Sequence, residues 1–111
     1  MIDKYDGAKF IHFQEDSCLS EAEQHYGGAT VAYKVVDGKT YVGVAYCHPK
    51  DRYVKAYGRA RAMGMLKQVT ARPEVDGSFA PFDGVTNVIY PVEVSHEGLI
   101  ELMEDFGYVA R

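Results

Sequence analysis

Hydrophobic and polar positions alternate most regularly over ATVAYKVVDGKTYVGVAY, residues 29–46. Two β-branched runs flank Asp37-Gly38, a dipeptide suited to a type I′ turn because both central positions of that turn need positive φ. A two-residue loop fixes the register and pairs Val36 with Lys39, Val35 with Thr40, Tyr33 with Val42 and Val31 with Val44. On that register Val31, Tyr33, Val35, Thr40, Val42 and Val44 share one face, expected to be a core face. The other face carries Thr30, Ala32, Lys34, Tyr41, Gly43 and Ala45. Ala32 opposite Gly43 makes a shallow spot there, where a helix, a ligand or a second subunit can approach.

The pattern changes after Cys47. Pro49 suits a first helical turn, having no N–H to waste, and Asp51 places a carboxylate at the positive end of the dipole. A long helix is therefore expected from this point to Arg72, stopped by Pro73. At helical spacing Val54, Gly58, Ala62, Met65, Leu66 and Val69 form its packing face, with Arg52, Lys55, Arg59 and Lys67 on an adjacent stripe. Gly58 and Gly64 each cost about 1 kcal/mol in a helix interior relative to Ala, which points to close backbone approach. Upstream, AKFIHF (8–13) reads as a first strand, and SEAE (20–23) as a capping box opening a short helix that ends at Gly27-Gly28. Downstream, residues 73–84 read as a loop carrying Phe79, Pro81 and Phe82 near its tip. VTNVIYPVEV (85–94) reads as a strand pushed to an edge by Pro91. Ser95 caps a last helix, HEGLIELMEDF, closed by Gly107. The resulting class is α+β: an antiparallel sheet of about four strands with the long basic helix and the C-terminal acidic helix packed on it. All 111 residues form a single domain.

Charge sharpens this picture. The chain carries 12 Lys and Arg against 16 Asp and Glu, a net charge of −4. Seven of those twelve bases lie between Cys47 and Pro73 with Asp51 as the one acid, so this run is +6 and the remainder −10. The last helix is opposite in sign, with Glu97, Glu101, Glu104 and Asp105 and no base. No apolar run reaches the roughly 18 residues of a membrane span, and no secretory h-region is visible at the N-terminus. The two cysteines make no disulfide scaffold, so a reduced cytoplasmic protein is expected.

Few catalytic constellations survive. Cys18, Cys47, His12, His25, His48 and His96 show no metal-ligand spacing, so no metal and no cofactor is expected. A Cys18 or Cys47 nucleophile needs a histidine base that sequence cannot place beside it. No nucleophile elbow or phosphate loop is present. The basic stripe has two readings. It is a solvated face that pairs with the acidic helix of the same chain or of another subunit, or it recognises phosphate. On the second reading Arg52, Lys55, Arg59 and Lys67 hold phosphate, and Tyr57, Phe79 and Phe82 stack a base. Tyr53 lies beyond the stripe and is a further stacking candidate. Duplex nucleic acid is disfavoured, because a chain with pI near 5.5 repels a long polyanion over most of its surface. A compact ligand with two or three phosphate groups asks only for a local positive pocket.

GVAYCHPKD followed by Tyr53, Lys55, Gly58, Arg59, Ala62 and Gly64 resembles small bacteriophage-encoded counter-defence proteins. Among them it is similar to the anti-Thoeris proteins that sequester cyclic ADP-ribose-type signals. The resemblance implies a non-enzymatic sponge, a homo-oligomer that binds a small nucleotide ligand intact within the host cytoplasm. Anti-CRISPR inhibitors share the size and composition, and imply instead a protein that docks its Phe79–Phe82 loop and acidic helix onto a host nuclease or effector. A small hydrolase using Cys47 or a histidine is the third reading.

Overall fold

A computed structural model of the chain describes residues 7–15, 26–71, 87–90 and 92–111. In chain order the elements are strands β1 (Lys9–Glu15), β2 (Tyr26–Val36) and β3 (Lys39–Arg52), helix α1 (Lys55–Ala71), strand β4 (Asn87–Tyr90), helix α2 (His96–Glu104) and strand β5 (Tyr108–Ala110). The strands make one antiparallel sheet in the order β4-β3-β2-β1-β5. The α+β class therefore holds, with five strands among the described residues rather than about four. β5 is the addition. It is only three residues long, too short for alternation to reveal, and it pairs Tyr108 with Glu15 across the chain.

The β2–β3 hairpin has the expected turn and register. Asp37 and Gly38 have φ of 53° and 76°, and Val36 pairs with Lys39, Val35 with Thr40, Tyr33 with Val42 and Val31 with Val44. Val31, Tyr33, Thr40, Val42 and Val44 are buried on one face. Val35 departs from this set at 40% exposure, although Thr40 opposite it is buried. The opposite face receives α1 at the shallow spot. A Cβ built on Gly43 would collide with the α1 backbone at Leu66, Ala62 and Met65, so only glycine lets the helix lie this close.

Each face thus has its own helix and its own core. Ile11, Phe13, Val31, Val42, Val44, Leu99 and Met103 fill the space under α2, while Ala32, Ala45, Ala62, Met63, Leu66 and Ile89 lie under α1. The basic and acidic helices are separated by the sheet, so the sequence reading in which they pair within one chain does not hold. Ser95 caps α2 as expected, its hydroxyl accepting from the Gly98 amide at 3.0 Å. β4 is an edge strand, in keeping with a proline following it. Residues 20–25 of the expected N-terminal helix and the 73–84 loop lie outside the described residues, but Gly27 and Gly28 belong to β2 rather than to a helix end.

The largest correction concerns where the hairpin ends. β3 runs on through Pro49 and Asp51 to Arg52, and α1 begins only at Lys55. The local helix-opening signals lose to a tertiary ladder, in which Cys47 pairs with Gly28 and Arg52 with Tyr26. Between those pairs a single residue of β2, Gly27, stands against four of β3, so His48–Asp51 bulge out of register. A bulge is where a strand tolerates proline, since the missing N–H owes the ladder nothing. Val54 then falls before the helix and is 54% exposed instead of packing. Ala62 and Leu66 are buried as expected, joined by Met63, which the expected packing face omitted.

Candidate functional site

The β3 bulge, the β3–α1 junction and the first turns of α1 enclose a cavity of about 190 Å³. His48 and Asp51 come from the bulge, Cys47 and Arg52 from the pairs that flank it, Tyr53 from the junction, Tyr57, Gly58 and Arg61 from α1, and Thr30 from β2. Gly58 is needed where α1 crosses Thr30, because a Cβ there would overlap the threonine hydroxyl. The 57–58–61 spacing places these side chains on one flank of the helix. Tyr57 is 67% exposed at the rim, with the Arg61 guanidinium 5.9 Å from its ring centroid.

Tyr53 forms the wall between this cavity and a polar cluster behind it. Its hydroxyl donates to the Ala29 carbonyl at 3.1 Å, lies 2.7 Å from His12 Nδ1, and is hydrogen-bonded to Thr30 Oγ1. His12 Nε2 faces Arg59 Nη1 at 3.5 Å. Over the ring of Tyr53 lies the Arg111 guanidinium, 4.1 Å from the centroid. That guanidinium also donates to the Phe13 carbonyl at 2.9 Å and to the Gly27 carbonyl at 2.8 Å. Gly28 makes room for it: φ is 115°, and a Cβ would strike the Phe13 carbonyl and the guanidinium itself.

These surroundings set the protonation states. Burial, reinforced by the charges of Arg59, Lys55 and Arg111, lowers His12 from 6.5 to about 4, so the ring is neutral at physiological pH. Tyr53 is pushed up by burial, against the hydrogen bond from Thr30 and the charge of Arg111, and stays a phenol. The Cys47 thiol is also raised, chiefly by burial, and it donates to the Asp51 carbonyl at 3.4 Å. A thiol held protonated in this way is a poor nucleophile. No group of three or more His, Cys, Asp or Glu able to hold a metal ion occurs among the described residues.

The structure divides the residues chosen from sequence. Arg52 and Tyr57 line the cavity, Arg52 from the strand end rather than from a helical stripe. Lys55 opens α1 and is exposed, contributing to the positive field at His12. Arg59 is half-buried and turned to His12 behind Tyr53, away from the cavity lining. Lys67 lies further along α1 and about 120° around its axis from Arg61, so it does not converge with the others. Phe79 and Phe82 fall outside the described residues.

His12, Thr30, Arg61 and Arg111 were missed as site residues. His12 and Thr30 pair across β1 and β2 on the side of the sheet that faces α1, opposite the core face of Ile11, Phe13 and Val31. Arg111 sits 98 residues from its Phe13 partner, and no sequence signal joins them. No helix among the described residues is long and apolar enough to cross a membrane. Compared with protein-family models, with curated protein sequences and with solved structures, the chain matches none of them.

Proposed function

We propose that the protein captures a compact phosphorylated nucleotide without turning it over, at the cavity between the β3 bulge and α1. The observation that carries this reading is the convergence there of Arg52 and Arg61 with Tyr53 and Tyr57. Guanidinium groups suit bidentate phosphate contacts, and tyrosine rings offer a face for a base. Asp51 is the one carboxylate among the lining residues and offers an acceptor to ring or exocyclic N–H groups. The protonated Cys47 thiol and the neutral His12 locked behind Tyr53 favour binding over catalysis. A nucleotide sponge of the phage counter-defence type, acting as a homo-oligomer in the host cytoplasm, is the biological setting that fits.

The test is a thermal-shift panel of mononucleotides, cyclic nucleotides and cyclic ADP-ribose isomers, followed by chromatography of the ligand released on denaturation. A ligand at a hundred times its Kd adds about 2.7 kcal/mol, a shift on the order of 10 °C for a domain of this size. A shift with unaltered ligand recovered supports capture, and altered ligand overturns it in favour of an enzyme. One observation favours a second reading, a protein-binding inhibitor: Glu97, Glu101 and Glu104 on α2 and Asp105 at its C-cap are all exposed. A flat panel, together with tight binding to one host effector that is lost on charge reversal of α2, supports that reading instead.

A further inference from the structure

The cations around Tyr53 are not equivalent. Arg52 and Arg61 are exposed and line the cavity. Arg111 spends its guanidinium on two backbone carbonyls and the face of Tyr53. Arg59 is half-buried and meets His12.

The hydrogen-bond directions around His12 follow from counting protons. The Ala29 carbonyl can only accept, and the one hydroxyl proton of Tyr53 serves it when the nearer neighbours, His12 Nδ1 and Thr30 Oγ1, supply their own. In that arrangement the contact between Tyr53 Oη and His12 Nδ1 takes its proton from the histidine. A neutral imidazole carries one N–H, so Nε2 must be the bare nitrogen. That nitrogen is the one Arg59 faces, and a guanidinium can only donate. The opposite tautomer would set an Nε2–H against the Arg59 N–H groups and leave the Ala29 carbonyl without the tyrosine proton.

We infer that these arginines divide into two jobs: Arg52 and Arg61 meet a ligand bearing a single phosphoryl group, while Arg59 fixes the Nδ1–H tautomer of His12 and so holds Tyr53 as the cavity wall. Arg59 is thus a positioning residue and makes no ligand contact. The first half rests on the nucleotide-capture reading and narrows it. Two arginines offset by Asp51 match one phosphoryl group, not the two or three that the +6 charge of the whole run suggests.

Two experiments test the two halves separately. The first needs no ligand. In a nitrogen–proton correlation spectrum of the uniformly ¹⁵N-labelled protein near neutral pH, His12 shows its proton on Nδ1. Replacing Arg59 by Met moves it to Nε2, the usual tautomer of a free histidine. A wild-type His12 protonated on Nε2, or an Nδ1–H that persists in the Arg59→Met protein, overturns the role of Arg59. Arg59→Leu makes the same comparison if the methionine variant does not fold.

The second experiment titrates the mono-, di- and triphosphate of one nucleoside, and a cyclic monophosphate, by calorimetry. Affinities within about threefold across the series are expected, with Arg61→Met costing about ten- to a hundredfold. A gain of about tenfold or more for each added phosphate overturns the single-phosphoryl assignment. Absence of binding throughout overturns the capture reading and this half with it, and the histidine spectrum still judges Arg59.

Discussion

The two faces of the sheet bury their helices by different means. Under α2 the contacts are large: Phe13, Leu99 and Met103 interlock with Val31, Val42 and Val44, all essentially without exposure. Under α1 they are smaller: Ala32, Ala45, Ala62 and Gly43, together with Met63, Leu66 and Ile89. Large side chains hold a helix by filling volume, and the position is set by how well the shapes fit. Small ones bring two backbones together and leave the helix ends to be placed by other forces. At the N-terminal end of α1 those forces are polar, with Thr30, His12 and Tyr53 taking over where the alanines stop. The cavity beside Tyr53 opens at this end of α1, where hydrogen bonds hold a wall in place without filling the space beside it.

The comparison predicts unequal responses to mutation. Truncating Phe13 to Ala removes a fully buried ring from the α2 face, and denaturant unfolding should show a loss of about 3–5 kcal/mol with the cavity residues otherwise intact. On the α1 face the damaging change is an addition. Gly43→Ala inserts a methyl where the Leu66 amide and the Ala62 carbonyl already sit, and those are backbone atoms that cannot rotate away. A loss of about 1–3 kcal/mol is expected, with ligand affinity falling as α1 is lifted from the sheet. If Gly43→Ala were silent, the close approach of α1 would not be what shapes the cavity.

The same contrast explains what the sequence discloses. The α2 face is legible because burial of large residues leaves a period-two pattern, and Asp37-Gly38 pins its register. The contact between Ala32, Gly43 and a helix is legible as a gap in that pattern. The start of α1 is not: Pro49 and Asp51 carry helix-opening chemistry, and only the distant Gly28 and Tyr26 keep those residues in a strand. The stripe expected from sequence runs through Arg59 and Lys67, whereas the cavity lies against the flank of α1 that carries Tyr57 and Arg61, because the β3 bulge closes over that flank. Arg52 and Tyr57 line the cavity, and their charge and aromaticity stand out in the sequence in any frame. The Arg111–Tyr53–His12 cluster depends on strands meeting across most of the chain, and no local pattern encodes it.

Tyr53→Phe probes the polar side alone. The ring and its place under Arg111 are kept, and only the hydroxyl is lost, leaving the Ala29 carbonyl, Thr30 and His12 to find other partners. A loss of about 1–2 kcal/mol in chemical denaturation is expected, smaller than for Phe13 because the site is only half-buried. Weaker ligand binding should accompany it, since the wall loses its fixed orientation. Loss of stability with undiminished affinity would separate Tyr53 from the cavity it lines.

The smallest effect is a pH dependence, and it bears on whether the polar cluster supports the fold in its neutral state. His12 has a folded pKa of about 4 against 6.5 when unperturbed, so between these values the unfolded chain binds more protons than the native one. Stability from this source is therefore complete above about pH 6.5 and is lost as pH falls toward 4. Water still reaches the half-buried ring, which screens the charges of Arg59, Lys55 and Arg111 and keeps the effect modest. Carboxylates titrate in the lower part of the same range, so the informative quantity is the difference between wild type and His12→Gln. Denaturant midpoints of the two proteins should converge as the pH is lowered from 7 to about 4, because glutamine keeps a polar side chain but cannot take up the proton. Parallel curves would mean that His12 is solvated alike in both states. The polar side of the sheet would then be held by Tyr53, Thr30 and Arg111 without the histidine.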